Sequence, residues 1–247
     1  MLAGMLYGAG YHMGDRLLTA TSSNPKGYFE DQAVNDVNEA LLAQLTPVRP
    51  SGRRGRLYVW RLADGQRWRT TIDITSTVHA TPDLAAQMRR IASQRPFCFK
   101  DPRFCYTIEA WRSVLGDAVF LCVFREPGRT AASMIADIRK ETRFRFLHTS
   151  SRRALQTWTT MYEHVLAKHM NYGEWLFVHY DQIFDGSAIP RIEEFVGTRI
   201  DASFVDPSLK RSADSAAVPR RTAETYERLC DLADYHPVVG DRPSRAG

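Results

Sequence analysis

The sequence predicts an α/β domain in which helices cover both faces of a central parallel sheet. Three observations carry that expectation. Ala118–Phe124 is an unbroken apolar run, as expected of a strand buried on both faces. Segments with helical spacing alternate with short apolar runs from about residue 81 to residue 196. The chain of 247 residues is long enough for one sizeable core, and no internal repeat breaks it into smaller units.

The elements follow in order. Met1–Ala9 reads as a helix with no residue before it that could cap its N–H groups. Asn24-Pro25-Lys26-Gly27 is a turn, after which Val34, Val37, Leu41, Leu42 and Leu45 recur at helical spacing up to Pro47. Residues 49–72 form a basic insertion, with Arg49, Arg53, Arg54, Arg56, Arg61, Arg67 and Arg69 interleaved with Trp60 and Trp68. Alternation in Leu57–Trp60 and Trp68–Ile72 suggests a hairpin turning at Ala63-Asp64-Gly65. Thr81-Pro82-Asp83 opens a helix to about Ser93, and Phe97–Lys100 follows as a short buried strand. Helix Thr107–Leu115, strand Ala118–Phe124, a helix from Pro127 to about Arg139 and another from about Ser150 to His169 come next. Strand Trp175–Tyr180 and a helix over Ile189–Val196 complete the alternation. Beyond Gly197 lie a polar loop around Leu209–Ser212, a last helix over Thr222–Tyr235 and a tail from about Pro237. The whole is expected to be a single domain over residues 1–236.

Composition narrows the function. The formal charge is +5, from 33 Lys+Arg against 28 Asp+Glu, a modest excess compatible with phosphate-bearing small molecules. No apolar run is long enough for a membrane span and no export signal is legible, so a cytoplasmic protein without a transmembrane segment is expected. The four cysteines lack zinc-site spacing, and no metal is expected. Gly4-x-x-x-Gly8-x-Gly10 does not follow a strand and lacks a Gly-Lys-Ser/Thr ending, so packing of helices through small residues explains it better than a triphosphate loop. The arginine-rich insertion reads as a solvated basic loop, and no nucleic-acid partner is expected.

In open α/β sheets, ligands gather beyond the carboxyl ends of strands. Two such places stand out. Arg125 leaves the strand Ala118–Phe124, Pro127 opens the next helix, and Ser133 lies about two turns along it. A guanidinium, the positive pole of a helix N-terminus and a hydroxyl suit a phosphate dianion, whereas pairing of Arg125 with Glu126 or Asp101 is the plain alternative. The strand Phe97–Phe99 ends in Lys100-Asp101-Pro102-Arg103. Lys100 is able to neutralise charge on a bridging oxygen, while Asp101 and Arg103 either orient it or pair with each other.

Asn24-Pro25-Lys26-Gly27-Tyr28-Phe29-Glu30-Asp31, then Lys100-Asp101-Pro102-Arg103, then Phe120–Pro127 with Ser133, then Phe177–Ile183 occur in an order and spacing that resembles the bacterial branch of the sulfotransferase family over roughly residues 1–212. The resemblance implies a three-layer P-loop-like fold and transfer of a sulfuryl group from 3′-phosphoadenosine 5′-phosphosulfate to an acceptor hydroxyl or amine on a small molecule, a glycolipid or another metabolite. It implies Arg125 and Ser133 as holders of the donor's 3′-phosphate, Lys100 as stabiliser of the transferring group, and Lys210 or Arg211 as a basic residue closing over the same phosphate. Glu30 is the best-placed general base, with His12 as the second candidate. The family also begins with a strand and a loop of the form Pro-Arg-Ser-Gly-Thr-Ser. No segment of this chain resembles that loop, so the domain is expected to be N-terminally incomplete. The alternative is an impaired relative that binds nucleotide or a protein partner without turnover.

Overall fold

The computed structural model describes residues 1–21, 24–46, 67–140, 150–206 and 217–237. It corrects the expected architecture. Among these residues the only sheet has two strands, β1 (Phe120–Phe124) and β2 (Trp175–His179), and helices make up most of the rest. A three-layer P-loop-like sandwich around a central sheet is therefore not what this chain forms. The two strands do run parallel, with Phe120 opposite Trp175 and Phe124 opposite His179.

The third expected strand, Phe97–Lys100, shows why. Its backbone meets another segment at a single parallel bridge, His12 to Phe97. The segment is set instead by side chains: Phe97 and Phe99 stack with centroids 4.7 Å apart, and Phe99 lies 6.4 Å from Trp111. An apolar run reports burial, whereas a strand also needs a neighbour for its N–H and C=O groups. The expected hairpin fares similarly. Residues 57–66 lie outside the described residues, and its second arm contains a 3₁₀ turn at Arg67–Arg69.

The described residues group into two compact units. One takes in the described parts of 1–9, 118–163 and 172–247. It contains α1 (Leu2–Gly8), the β1–β2 pair, α5 (Pro127–Lys140) and most of α6 (Ser151–His164), then α7 (Tyr180–Phe184), α8 (Ile189–Val196) and α9 (Arg220–Leu232). Ala131, Ala154, Leu155, Val218 and Ala223 form one buried cluster of this unit, and Phe124 meets the ring of Tyr226 edge-on at 6.1 Å. The glycines of α1 serve close packing, as expected. A Cβ on Gly4 would fall 2.3 Å from the Phe204 ring, and one on Gly8 would fall 2.9 Å from Asp201.

The second unit takes in the described parts of 10–117 and 164–171. It contains α2 (Gln32–Ala43), α3 (Pro82–Ile91), α4 (Phe104–Leu115) and a π-helical turn at Val165–His169. Asp31 caps α2, accepting the N–H groups of Ala33 and Val34 at 2.8 and 3.1 Å, while its other oxygen accepts Arg16 N–H at 2.8 Å. Thr81 caps α3 through Leu84 N–H at 3.3 Å, with Pro82 at the first helical position as the sequence predicted.

The π-helical turn packs on α4 through His169. Its Nδ1 accepts from the Arg112 guanidinium at 3.2 Å, and its Nε2–H donates to the Cys105 carbonyl at 3.0 Å. Arginine only donates and a carbonyl only accepts, so these partners specify the neutral tautomer. Burial and the adjacent Arg112 charge lower the His169 pKa from 6.5 to about 4. The unfolded chain therefore binds the proton more tightly than the fold does. The resulting stability is complete above about pH 6.5 and is lost as pH falls towards 4, by about 3 kcal/mol. Glutamine supplies the same acceptor and donor without titrating. The stability of the protein relative to His169→Gln in urea titrations is expected to fall by that amount between pH 7 and 4, and a pH-independent difference contradicts it.

Candidate functional site

In the second unit the structure brings Glu30 and Lys100 into contact. The Lys100 ammonium donates to Glu30 Oε1, joining residues far apart in sequence. The carboxylate side is largely buried and the lysine end more open, with side-chain exposures of 10% and 43%. Glu30 is held from several directions. Its carbonyl accepts Leu18 N–H at 2.8 Å, and Asn35 Nδ2 lies 3.4 Å from its Oε2. Phe29 before it has φ of 54°, a left-handed conformation that a side chain rarely adopts and that fixes where Glu30 emerges. His12 belongs to the same unit, where its Nε2 lies 3.7 Å from Asp15 and its backbone bridges to Phe97.

The residues after Lys100 have a different task. Asp101 is buried. It accepts from Asn38 Nδ2 at 2.9 Å, from the Arg103 N–H at 2.8 Å and from the Arg103 guanidinium at 2.9 Å. Arg103 also donates to Glu39 at 2.6 Å, and Arg67 donates to the other Glu39 oxygen at 3.0 Å. The Asn38 carbonyl accepts from Thr107 and from the Trp111 indole at 2.8 and 2.9 Å. Burial pushes the Asp101 carboxyl above its ordinary range, and the Arg103 charge opposes that shift. Of the two roles open to Asp101 and Arg103, they thus take that of pairing with each other, and the network fixes the backbone from which Lys100 projects.

In the first unit a cleft of about 220 Å³ lies beyond the carboxyl end of β1. Arg125 and Ser133 both line it, together with Thr130, Asp137, Tyr162 and Tyr180. The strand register explains the assembly. Phe124 and His179 are paired, so the residues that follow them, Arg125 and Tyr180, emerge side by side, and the guanidinium carbon lies 5.0 Å from the Tyr180 ring centre. Thr130, Ser133 and Asp137 follow one another at helical spacing along one face of α5. Tyr162 is anchored by its hydroxyl, which donates to the Val123 carbonyl at 2.9 Å.

The helix pole counted as part of this anion site is already in use. Glu126, itself buried, accepts Gly128 N–H at 2.9 Å and Arg129 N–H at 2.6 Å, so the protein's own carboxylate caps α5. What faces a ligand in the cleft is side chains: one guanidinium, several hydroxyls and one carboxylate.

Sequence reasoning singled out Arg125 and Ser133 but gave no role to Tyr180, Tyr162 or Asp137. Tyr180 carried a usable signal, because it closes the second expected strand where Arg125 leaves the first. Lys210 and Arg211 lie outside the described residues. Burial raises the thiols of Cys98 and Cys122 to about 12, which leaves them poor nucleophiles. Among the described residues no cluster of His, Cys, Asp and Glu is arranged to hold a metal, and no helix is long and apolar enough to cross a membrane.

A family model described as the sulfotransferase family matches residues 16–201. That span includes Glu30, Lys100, Arg125 and Ser133 and stops short of Arg211. Neither a curated protein nor a solved structure matches the chain.

Proposed function

Since the chain belongs to the sulfotransferase family, we propose that it transfers a sulfuryl group from 3′-phosphoadenosine 5′-phosphosulfate to a hydroxyl or amine of a small acceptor, such as a glycolipid or another metabolite. The observation that carries the reading is the shared cleft of Arg125 and Ser133. Guanidinium and hydroxyl donors suit a phosphate, and the Arg125 plane is already oriented by Tyr180. Ser133 makes no side-chain hydrogen bond to another described residue, so its hydroxyl is available to a ligand. The nucleotide supplies the activated sulfuryl group.

The Glu30–Lys100 pair carries the proton and charge handling in this reading. Glu30 takes the proton from the acceptor hydroxyl as that oxygen bonds to sulfur. The Lys100 ammonium offsets negative charge on the oxygen that leaves sulfur. No metal has a role here, because side-chain cations serve that purpose. Arg211 keeps the role implied by its motif position, a second cation for the 3′-phosphate.

Calorimetry tests the binding half. The protein is expected to prefer 3′-phosphoadenosine 5′-phosphate over 5′-AMP, and Arg125→Ala is expected to weaken the bisphosphate by about tenfold to a hundredfold, the range for a hydrogen bond to a charged group. Equal affinity for the two nucleotides sinks the reading. A clear 3′-phosphate preference without turnover of the donor leaves a nucleotide-binding protein and removes the transferase.

A further inference from the structure

One buried oxygen in the second unit accepts no hydrogen bond from any described residue. Asn35, in the first turn of α2 and 6% exposed, directs its Nδ2 at Glu30 Oε2 across 3.4 Å, whereas its Oδ1 is buried without a donor among the described residues. An amide oxygen in that position has given up water and gained nothing for it. The orientation is nonetheless the one that an ionised Glu30 requires, because a carboxylate only accepts and the amide nitrogen only donates.

The unmet oxygen acquires a use when Glu30 takes a proton. Lys100 already donates to Oε1, so a proton placed there meets an ammonium with no lone pair to receive it. A proton on Oε2 faces Asn35 instead. Turning the amide through a half-circle exchanges its nitrogen and oxygen at nearly the same positions, and Oδ1 then accepts from the new O–H. One side chain thus fits both protonation states of Glu30, and only the protonated state satisfies Oδ1.

We infer that Asn35 is a positioning residue for the base: it steers the acceptor's proton to Glu30 Oε2 and holds it there by presenting Oδ1. The inference rests on the transferase reading of Glu30 and adds the destination of the proton to it. As the acceptor oxygen bonds to sulfur, its O–H bond breaks and the proton goes to Oε2. The sulfur–oxygen bond to the nucleotide breaks, and its electron pair stays on the departing phosphate oxygen.

The test uses the full chain and follows release of 3′-phosphoadenosine 5′-phosphate from the donor, with phenol as the acceptor hydroxyl and water in its absence. Asn35→Leu keeps the size of the side chain and removes both ends of the amide. It is expected to lower kcat about tenfold, the weight of one hydrogen bond, and to leave the KM for the donor within about twofold. The urea midpoint is expected to stay nearly constant, because removing an unmet buried oxygen offsets the loss of one long hydrogen bond. A residue that only packs gives the reverse, a lower midpoint with the rate of the folded protein kept. In a Glu30→Gln background, where no proton is taken, Asn35→Leu is expected to change the remaining rate by less than about twofold. Asn35→Ala removes the same groups without a branched side chain and carries the rate test if the leucine variant does not fold. A rate within about twofold of the unsubstituted protein overturns the inference, and so does a loss that persists undiminished in the Glu30→Gln background. If the unsubstituted protein releases no bisphosphate, or if Glu30→Gln alone has no effect, the reading of Glu30 fails and that of Asn35 goes with it. If the rate depends on Glu30 and ignores Asn35, the Asn35 reading falls alone.

Discussion

Glu30→Gln is expected to lower sulfuryl transfer by roughly 10²–10⁴-fold, the usual contribution of a positioned general base, with nucleotide affinity unchanged within about twofold. Glutamine keeps the shape of the side chain and can still meet Lys100, but it does not take a proton at neutral pH. The separation of the two readouts follows from the proposed roles, proton transfer for Glu30 and phosphate binding for Arg125 and Ser133. Glu30 contacts Lys100 and Asn35 in one unit, whereas the residues assigned to the 3′-phosphate line a cleft in the other. Steady-state rates set against calorimetric affinities make the comparison. A fall of less than about tenfold would assign Glu30 to holding Lys100 and leave the base to be found elsewhere, with His12 the next residue to substitute. A parallel loss of nucleotide affinity would mean that the substitution disturbs the fold.

Asp101→Ala is the substitution expected to cost most stability, about 3–5 kcal/mol in urea titrations, as for a buried ion pair that loses one partner. The cause is what it strands. The Arg103 side chain is 5% exposed and Asp101 takes both its main-chain N–H and its guanidinium, while Asn38 loses the acceptor for its amide. Glu39 alone then faces a buried cation that it already shares with Arg67. Replacing both members, Asp101→Ala with Arg103→Met, removes the uncompensated charge and is expected to regain part of the loss. A single-substitution loss under about 1 kcal/mol would show that the network does not anchor this unit.

These two positions also mark what was legible in the amino-acid order. Strands β1 and β2 were, because Cys122, Phe124, Phe177 and Val178 are buried and their runs are unbroken. The helix at Pro82 was, because its cap and its first-turn proline are adjacent in sequence. Phe97–Lys100 was misread: its two rings stack on each other and Phe99 meets Trp111, and no local pattern distinguishes a segment packed by side chains from one paired by its backbone. The partners of Asp101 were hidden for a related reason. Asn38 and Glu39 lie more than sixty residues away, on a helix whose apolar spacing says nothing of the two polar residues it buries towards Asp101 and Arg103.

At the cleft, Arg125 and Ser133 stood out by their places at a strand end and two turns into the next helix, and Glu30 with Lys100 by motif. The free helix pole did not survive, because Glu126 directly before Pro127 is a capping arrangement. An acidic residue in front of a helix-opening proline is the signal that was available for it.

The pairing of Phe124 with His179 has a consequence for how this protein can diverge. Side chains alternate faces along a strand, so inserting or deleting one residue within either five-residue run would turn Arg125 or Tyr180 away from the other. Descendants are free to exchange one apolar residue for another at these positions, but not to change their number. Segment length is the tighter geometric constraint here, and composition the looser one.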